Sequence, residues 1–325
     1  MKKIIYVSLI ALLFSCEKEP KNIKLSGPVF GTSYNVQYHS ENDENYQKQF
    51  DSLFAVVNAS MSTYIPTSKI SRLNKGEDID VDVHFTNVFN RARQIYRATE
   101  GAFDPTIGAV VNAWDFGPEG KITHVDSTAI DSLMKSVGFN RMGIRDGKVI
   151  KSLASFLDFN AIAKGYGVDV IGEFLERKHV TNYLVEIGGE IRTRGVNLEK
   201  KASWKVGIDD PNFEGEQSYS KVIPLQDEAM ATSGTYRKFK IDENGNRYAH
   251  IINTKTGYPS KTNILSVSVL AEDCMTADAY ATAFQAMGIE RVTEFLYRHP
   301  ELKVFIIFEN EAKEFETLAL NNFPE

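Results

Sequence analysis

The segment TADAYATAF, residues 276–284, contains one acidic side chain and two threonines within a run of small residues. Asp278 and Thr282 are four residues apart, so a helix would present both oxygens on one face. Hard oxygen ligands suit Mg²⁺, which keeps open positions for substrate phosphate and water. The pair also fits an ordinary helix, in which the Asp caps the start and the Thr bonds back to a carbonyl. Spacing alone leaves both interpretations open.

A second segment, LDFNAIAKGYGVD at 157–169, has the features of a phosphate site. Asp158 is expected at a strand end, followed by a loop of small residues and then Lys164-Gly165 at the start of a helix. Amide groups at a helix start attract phosphate, and an adjacent Lys adds positive charge. The Walker A pattern GxxxxGK[ST] is absent, so a plain strand-to-helix turn is the alternative.

Three further segments place single side chains where they could meet a ligand. Tyr64 in STYIPTSK could stack on a flat ring or pack its own loop. Asp104 in GAFDPTIG could accept from a ring N–H or cap the next turn. A lone His such as His250 in AHIINTKTGYP is more often structural than chemical, and residues 232–234 are predicted to form a polar, nest-like loop. No GxSxG elbow is present, so serine hydrolase chemistry is not expected.

The hydrophobic pattern predicts the elements that must position these segments. Apolar residues at helical spacing predict helices at 44–61, 86–99, 126–137, 163–178, 277–287 and 289–298. Alternation and turn residues predict hairpins at 22–38, 141–152 and 182–195, and strands at 204–208, 221–225, 264–270, 303–308 and 315–320. Helices and hairpins mix without steady βαβ alternation, which indicates an α+β fold of mixed sheets with flanking helices.

The N-terminal segment MKKIIYVSLIALLFSC has the pattern of a targeting signal. Two lysines precede an apolar run, 4–14, that is too short to span a bilayer as a stable anchor. LFSC resembles a bacterial lipobox that is cut before Cys16. We therefore expect a signal peptide at 1–15 and a tether at 16–22 from lipidated Cys16. This predicts a protein anchored to a bacterial membrane and facing the periplasm; a plain signal peptide with a chance Cys is the alternative.

Composition excludes several other classes of protein. The 325 residues are 42% hydrophobic and 25% charged, as in an ordinary globular chain. The formal net charge of −6, without a basic stripe, argues against nucleic-acid binding. The chain has two Cys. If Cys16 is lipidated, only Cys274 remains, which excludes an internal disulfide and a Cys-based zinc site.

Taken together and in order, these segments resemble the ApbE family, the FAD:protein FMN transferases, over nearly the whole chain after residue 22. The matching segments are FGTSY, STYIPTSKISRLN, GAFDPTIG, FNAIAKGYGVD, VEIGGEIRTRG, ATSGTY, HIINTKTGYP and DCMTADAYATA. The resemblance implies a catalytic domain at 23–325, in one or two lobes. It implies that FMN passes from FAD to a Thr or Ser hydroxyl of a target flavoprotein, with release of AMP. Targets in the family are subunits of membrane redox complexes of the Nqr and Rnf type.

The resemblance also implies which residues bind the metal and the flavin. Asp278 and Thr282 match the family's Mg²⁺ ligands, and the backbone carbonyls of Ala161 and Ala281 match further metal contacts. The expected FAD contacts are Phe30, Tyr64, Ala102, Phe103, Asp104, Asp158, Lys164 and Ile252.

His250 matches the His that is often proposed as the base of the family. One departure stands beside it: Asn253-Thr254 replaces the usual Asp-Pro, and Asn cannot act as a carboxylate base. Two other functions remain open: an Mg²⁺-dependent FAD pyrophosphatase that gives FMN and AMP, and a non-enzymatic FAD-binding lipoprotein. A glycan-binding surface lipoprotein is more remote, since the chain has only two Trp.

Overall fold

The computed structural model describes residues 20–119, 126–211, 218–235, 239–241 and 247–324. The predicted signal peptide and Cys16 lie outside the described residues. The sequence Glu243-Asn244-Gly245-Asn246 also predicts a hairpin turn, and these four residues lie outside the described residues as well. Among the described residues, no helix is both long enough and apolar enough to cross a membrane.

Eight α-helices, one short 3-10 helix at Phe139–Arg141 and fourteen strands are found in the described part of the chain. The helices are α1 Gln47–Met61, α2 Lys69–Asn74, α3 Val83–Ala98, α4 Gly108–Ala113, α5 Ser127–Met134, α6 Ala163–Arg177, α7 Cys274–Met287 and α8 Ile289–Leu296. The strands are β1 Lys21–Val29, β2 Thr32–Ser40, β3 Gly143–Arg145, β4 Lys148–Ile150, β5 Tyr183–Ile187, β6 Glu190–Arg194, β7 Trp204–Asp209, β8 Tyr219–Leu225, β9 Ala229–Gly234, β10 Phe239–Ile241, β11 Arg247–Ala249, β12 Ile264–Ala271, β13 Lys303–Glu309 and β14 Phe315–Leu320.

An eight-stranded sheet in the order β1-β2-β5-β6-β9-β12-β13-β14 forms the centre of the fold. Every neighbouring pair within it is antiparallel in the described residues. The strand pairs β3–β4, β7–β8 and β10–β11 form three small separate sheets. The α+β prediction is therefore confirmed, and the helices flank the sheet as expected.

The two faces of the large sheet are covered differently. On one face, Val168 and Ile171 of α6 pack against Tyr183 and Val185 of β5, and α7 lies beside them over β9 and β12. The β7–β8 hairpin covers the other face with an apolar side of its own, Val206, Ile208, Ile223 and Leu225, against Leu270, Phe305 and Ile307. Because both faces are covered, β12 is buried almost throughout instead of alternating.

Strands β6 and β9 separate within the sheet. Among the described residues they pair only at Ile191↔Met230 and Arg192↔Ala229, whereas β9 continues beside β12 as far as Gly234. The prediction of a nest-like loop at 232–234 is therefore wrong. These residues form the end of β9, because their backbone pairs with β12 while the Ser233 side chain faces Thr282 of α7 and the Thr232 side chain faces Ser268 of β12.

The β1–β2 hairpin brings an aromatic ring to α6. Its two-residue turn consists of Phe30 and Gly31, with φ of 48° and 76°. Two positive φ values are typical of the type I′ turn that matches strand twist. A Cβ on Gly167 would lie 2.5 Å from Phe30 Cε2, so the ring lies directly on the α6 backbone. Gly27-Pro28 lies inside edge strand β1, where Pro is tolerated.

Candidate active site

A cavity of about 1300 Å³ lies between the α6–α7 pair, the gap between β6 and β9, and the loops around 62–65, 102–107 and 250–254. Nearly all of the predicted site residues line it: Phe30, Tyr64, Ala102, Phe103, Asp104, Asp158, Ala161, Lys164, His250, Ile252, Asp278 and Thr282. Ala281 is buried within α7, between the two predicted side-chain ligands, and does not line the cavity. Residues that are far apart in sequence thus meet in one place.

The two side chains on α7 face the cavity, as their spacing predicted. One carboxylate oxygen of Asp278, a residue that is 5% exposed, accepts a hydrogen bond from Gly165 N at 3.0 Å. Thr282 Oγ1 lies 3.2 Å from Ser233 Oγ. The helix cap is Asp273, whose side chain accepts from Thr276 N at 2.7 Å. Asp278 is therefore not the capping residue of α7.

Close contact between α6 and α7 holds Asp278 in place. A Cβ at Gly165 would lie 2.3 Å from Cys274 O and 2.8 Å from Asp278 Cβ, so this position requires glycine. Ala277, Ala279, Ala281 and Ala283 of α7 are buried. The small residues that are so abundant in this helix allow it to pack closely against its neighbours.

A buried ion pair lies beside Asp278. Lys164 Nζ donates to both carboxylate oxygens of Glu190 at 2.6 Å, and Glu190 is 3% exposed. Burial raises the pKa of the Glu190 and Asp278 carboxyls, and the Lys164 ammonium opposes both shifts. Sequence reasoning missed Glu190. The signal that could have found it is a charged residue directly after the Gly188-Gly189 turn, at the start of a buried hairpin strand.

The donor set near α7 fits a hard cation. Two buried carboxyl groups, Asp278 and Glu190, lie beside a single ammonium, so this corner of the cavity offers more acidic oxygen ligands than the Lys164 ammonium alone can pair. The Thr282 hydroxyl is a further oxygen donor. The described residues contain no group of three or more His, Cys, Asp and Glu side chains that could hold a metal alone. A few protein oxygens completed by water and phosphate oxygens suit Mg²⁺ better than Zn²⁺.

Loops supply the opposite wall of the cavity. Tyr64 is 58% exposed and lies at the mouth, where a ring could stack on it. Asp104 is buried and accepts from Thr106 N at 2.8 Å, Thr106 Oγ1 at 2.6 Å and Phe139 N at 3.3 Å. Asp104 thus closes the turn that follows it, and its contact with a ring N–H stays a prediction. Asp158 accepts from Asn160 N at 2.8 Å, so it braces the loop that precedes α6.

His250 and Asn253 occupy different positions on the same loop. The half-buried His250 lines the cavity, with its ring centroid 6.2 Å from that of Phe116. Asn253 does not line the cavity; its Oδ1 accepts from Lys255 N at 2.9 Å and Thr256 N at 3.2 Å. The side chain that replaces the family's Asp thus closes its own turn.

Comparison with known proteins identifies the family. The model of the ApbE family matches residues 30–306, so the chain belongs to the ApbE family. A relative from Haemophilus influenzae, named FAD:protein FMN transferase, is 36% identical over 323 residues, covering 95% of this chain and 92% of the relative. A relative of the same name from Vibrio cholerae is 36% identical over 297 residues, covering 89% of this chain and 88% of the relative.

Solved structures share the fold. The flavin transferase ApbE from Vibrio cholerae is similar with a TM-score of 0.83 and 34% identity, over 92% of this chain and 97% of that one. The apo form of the Pseudomonas stutzeri flavinyl transferase ApbE has the same TM-score at 26% identity, over 93% of this chain and 95% of that one. These matches extend the family assignment from the motifs to the three-dimensional architecture.

Proposed function

We propose that this member of the ApbE family is an FAD:protein FMN transferase. It would transfer FMN from FAD to a Thr or Ser hydroxyl of a target flavoprotein, release AMP and require Mg²⁺. The observation that carries the proposal is the single cavity into which the predicted flavin, phosphate and metal residues converge. At about 1300 Å³ it exceeds the roughly 300–1000 Å³ of ordinary small-molecule sites, which leaves room for an acceptor segment beside FAD.

The α6–α7 wall would bind the pyrophosphate of FAD. Lys164, at the start of α6, places positive charge close to the phosphate oxygens, and Glu190 fixes the direction of its side chain. Asp278 and Thr282 would hold Mg²⁺, which supplies charge neutralisation at the pyrophosphate. Phosphoryl transfer depends chiefly on positioning and electrostatic stabilisation, and this wall provides both.

The loop wall would hold the flavin and prepare the acceptor. Tyr64 stacks on the ring, while Ala102, Phe103 and Ile252 line the apolar part of the pocket. The acceptor hydroxyl oxygen attacks the FMN phosphorus, the bond from that phosphorus to the AMP oxygen breaks, and AMP leaves. His250 accepts the hydroxyl proton, directly or through one water.

The acceptor and the cellular location are also part of the proposal. The family's targets are flavoprotein subunits of membrane redox complexes of the Nqr and Rnf type, and we propose an acceptor of this class. The LFSC sequence supports lipid attachment at Cys16 and a position on the periplasmic face of a bacterial membrane. Labelling with a palmitate analogue, compared between wild type and Cys16→Ser, tests this attachment.

Transfer is tested by co-expressing the chain with candidate acceptor subunits and analysing them by mass spectrometry. The expected result is an FMN phosphoester on one Thr or Ser of an acceptor, together with AMP from FAD in the presence of MgCl₂. AMP with free FMN and no labelled acceptor would instead identify an FAD pyrophosphatase. FAD binding without AMP would identify a carrier and overturn the proposal.

A further inference from the structure

The first turn of α7 is held by a residue outside the cavity's metal and phosphate groups. Asp169 of α6 is 3% exposed, and its carboxylate accepts from Cys274 N at 2.9 Å and Met275 N at 2.8 Å. Amide groups in the first turn of a helix have no partner within that helix. Asp273 satisfies Thr276 N as the ordinary cap, so Asp169 supplies the acceptor for the two amides that Asp273 does not satisfy.

Asp169 is itself fixed to the sheet. Arg192 of β6 donates from Nη1 to Asp169 at 2.9 Å and from Nη2 to Glu176 at 3.1 Å. Glu190 lies two residues earlier on β6, and side chains two apart in a strand share a face. The Glu190 carboxylate of β6 pairs with the Lys164 ammonium of α6, and the Arg192 guanidinium of β6 pairs with the Asp169 carboxylate of α6. Two adjacent ion pairs, with the acid on β6 in one and on α6 in the other, therefore join the strand to the helix.

The contacts between α6 and α7 repeat after one helical turn. In the first contact, Gly165 N of α6 donates to Asp278 of α7. In the second, Asp169 of α6 accepts from Cys274 N of α7. Asp169 lies four residues after Gly165, and Cys274 lies four residues before Asp278. Residues four apart lie on the same face of a helix, so the two contacts define one antiparallel line of contact. Two fixed points on this line determine both the rotation and the axial position of α7.

We propose that Asp169 is a positioning residue for the cation site, acting through α7; this inference rests on the proposed function. Its carboxylate fixes the first turn of α7 and so directs Asp278 and Thr282 towards the same point in the cavity. Without it, Cys274 N and Met275 N lose a buried acceptor and the Arg192 guanidinium loses its buried partner, both of which are costly. The strain would be relieved by movement of the helix that carries the ligands.

The test measures cation binding directly on the full chain. Mn²⁺ is titrated into wild type, Asp169→Ala and Asp169→Asn, and free Mn²⁺ is followed by electron paramagnetic resonance. Asp169→Ala is expected to raise the Kd for Mn²⁺ at least about tenfold, a difference of about 1.4 kcal/mol. Asp169→Asn keeps the volume and one acceptor oxygen, so its loss of affinity should be smaller, and it serves if Asp169→Ala does not fold.

Asp82→Ala is the matched control. Asp82 caps α3 by accepting from Phe85 N at 2.8 Å, and also accepts from Ser60 Oγ at 2.9 Å, but it does not line the cavity. This variant should lower Tm while the Kd for Mn²⁺ stays within twofold of wild type. If the Asp169 variants also lower Tm but keep wild-type affinity, Asp169 is only a structural cap and the proposal is overturned.

Two outcomes separate this inference from its premise. Mn²⁺ binding by wild type without AMP formation from FAD in the presence of acceptor subunits would overturn the proposed function, and the comparison of Asp169 with Asp82 would still decide the positioning role. No Mn²⁺ binding by wild type, with or without FAD, would overturn the positioning proposal, because there would be no cation site to position.

Discussion

The two walls of the cavity are built in different ways. The α6–α7 wall consists of helices and strand ends, where Asp278, Glu190 and Asp169 are each 5% exposed or less and are held by hydrogen bonds from other elements. The opposite wall consists of loops, and Tyr64 at its rim is 58% exposed. The proposed metal and phosphate groups thus lie on rigid, interlocked elements, and the proposed ring contact lies on a connecting segment.

This difference has a physical reason. Phosphoryl transfer needs oxygen and ammonium groups fixed within fractions of an ångström, and secondary structure provides that precision better than loops. An aromatic ring that stacks on a flavin tolerates small displacements, because stacking depends weakly on exact position. The α6–α7 wall should therefore control the rate and cation dependence, and the loop wall the affinity for FAD.

The largest effect is expected for Asp278→Ala. Removal of the buried carboxylate takes away the main proposed Mg²⁺ ligand on the α6–α7 wall, so AMP formation from FAD with an acceptor present should fall below detection at every MgCl₂ concentration. Asp131 on α5 is exposed, so Asp131→Ala is the control for the loss of one negative charge. A wild-type rate of flavin transfer by Asp278→Ala would eliminate the metal assignment.

His250→Ala tests the one loop residue to which we assign a chemical step. Loss of the base should lower kcat for transfer by about 10²-fold or more, with the KM for FAD nearly unchanged. The measurement is the rate of single-turnover FMN transfer to the acceptor over a range of pH, for wild type and His250→Ala. An unchanged kcat would show that His250 is only a wall residue.

Gly165→Ala tests how closely α6 and α7 must approach. The new Cβ would meet Cys274 O at 2.3 Å, so α7 must shift; overpacking of this kind costs about 1–3 kcal/mol. Displaced ligands should reduce turnover by up to about 10²-fold. Gly143→Ala is the matched control, because nothing lies within 4 Å of its added Cβ. If Gly165→Ala and Gly143→Ala had equal Tm and equal turnover, the close approach of α6 and α7 at Gly165 would be contradicted.

Tyr64→Ala should have a smaller effect and act on binding. Loss of stacking by about 0.5–1.5 kcal/mol corresponds to a rise of about two- to tenfold in the KM for FAD. Tyr64→Phe keeps the ring and should behave as wild type. A fall in kcat at saturating FAD, with KM unchanged, would instead place Tyr64 with the groups that control the rate.

Asn253→Asp should have the smallest effect. A carboxylate oxygen can accept from Lys255 N and Thr256 N as the amide oxygen does, and the side chain does not line the cavity. We therefore expect transfer rates within about twofold of wild type. A large gain in kcat with the Asp would show that the family's carboxylate takes part in the reaction after all.

Local patterns predicted much of the fold because they depend on neighbours in the chain. The stripe of Phe50, Phe54 and Val57 identifies α1, and Asp146-Gly147 identifies the β3–β4 hairpin, where both φ values are positive. Helix α4 escaped prediction because it has only six residues. Strand β9 escaped because small polar residues resemble a loop until β12 pairs with them.

The site divides in the same way. The resemblance of the ordered motifs identified the family from sequence alone. Helical spacing, which is a local property, predicted the helix face shared by Asp278 and Thr282. Only the tertiary structure decided that Glu190 holds Lys164, that Asp169 holds the start of α7, and that Asn253 closes its own turn. Contacts between segments that are distant in sequence depend on how α6 and α7 cross and on where β6 and β9 separate. Local sequence patterns do not contain this geometry.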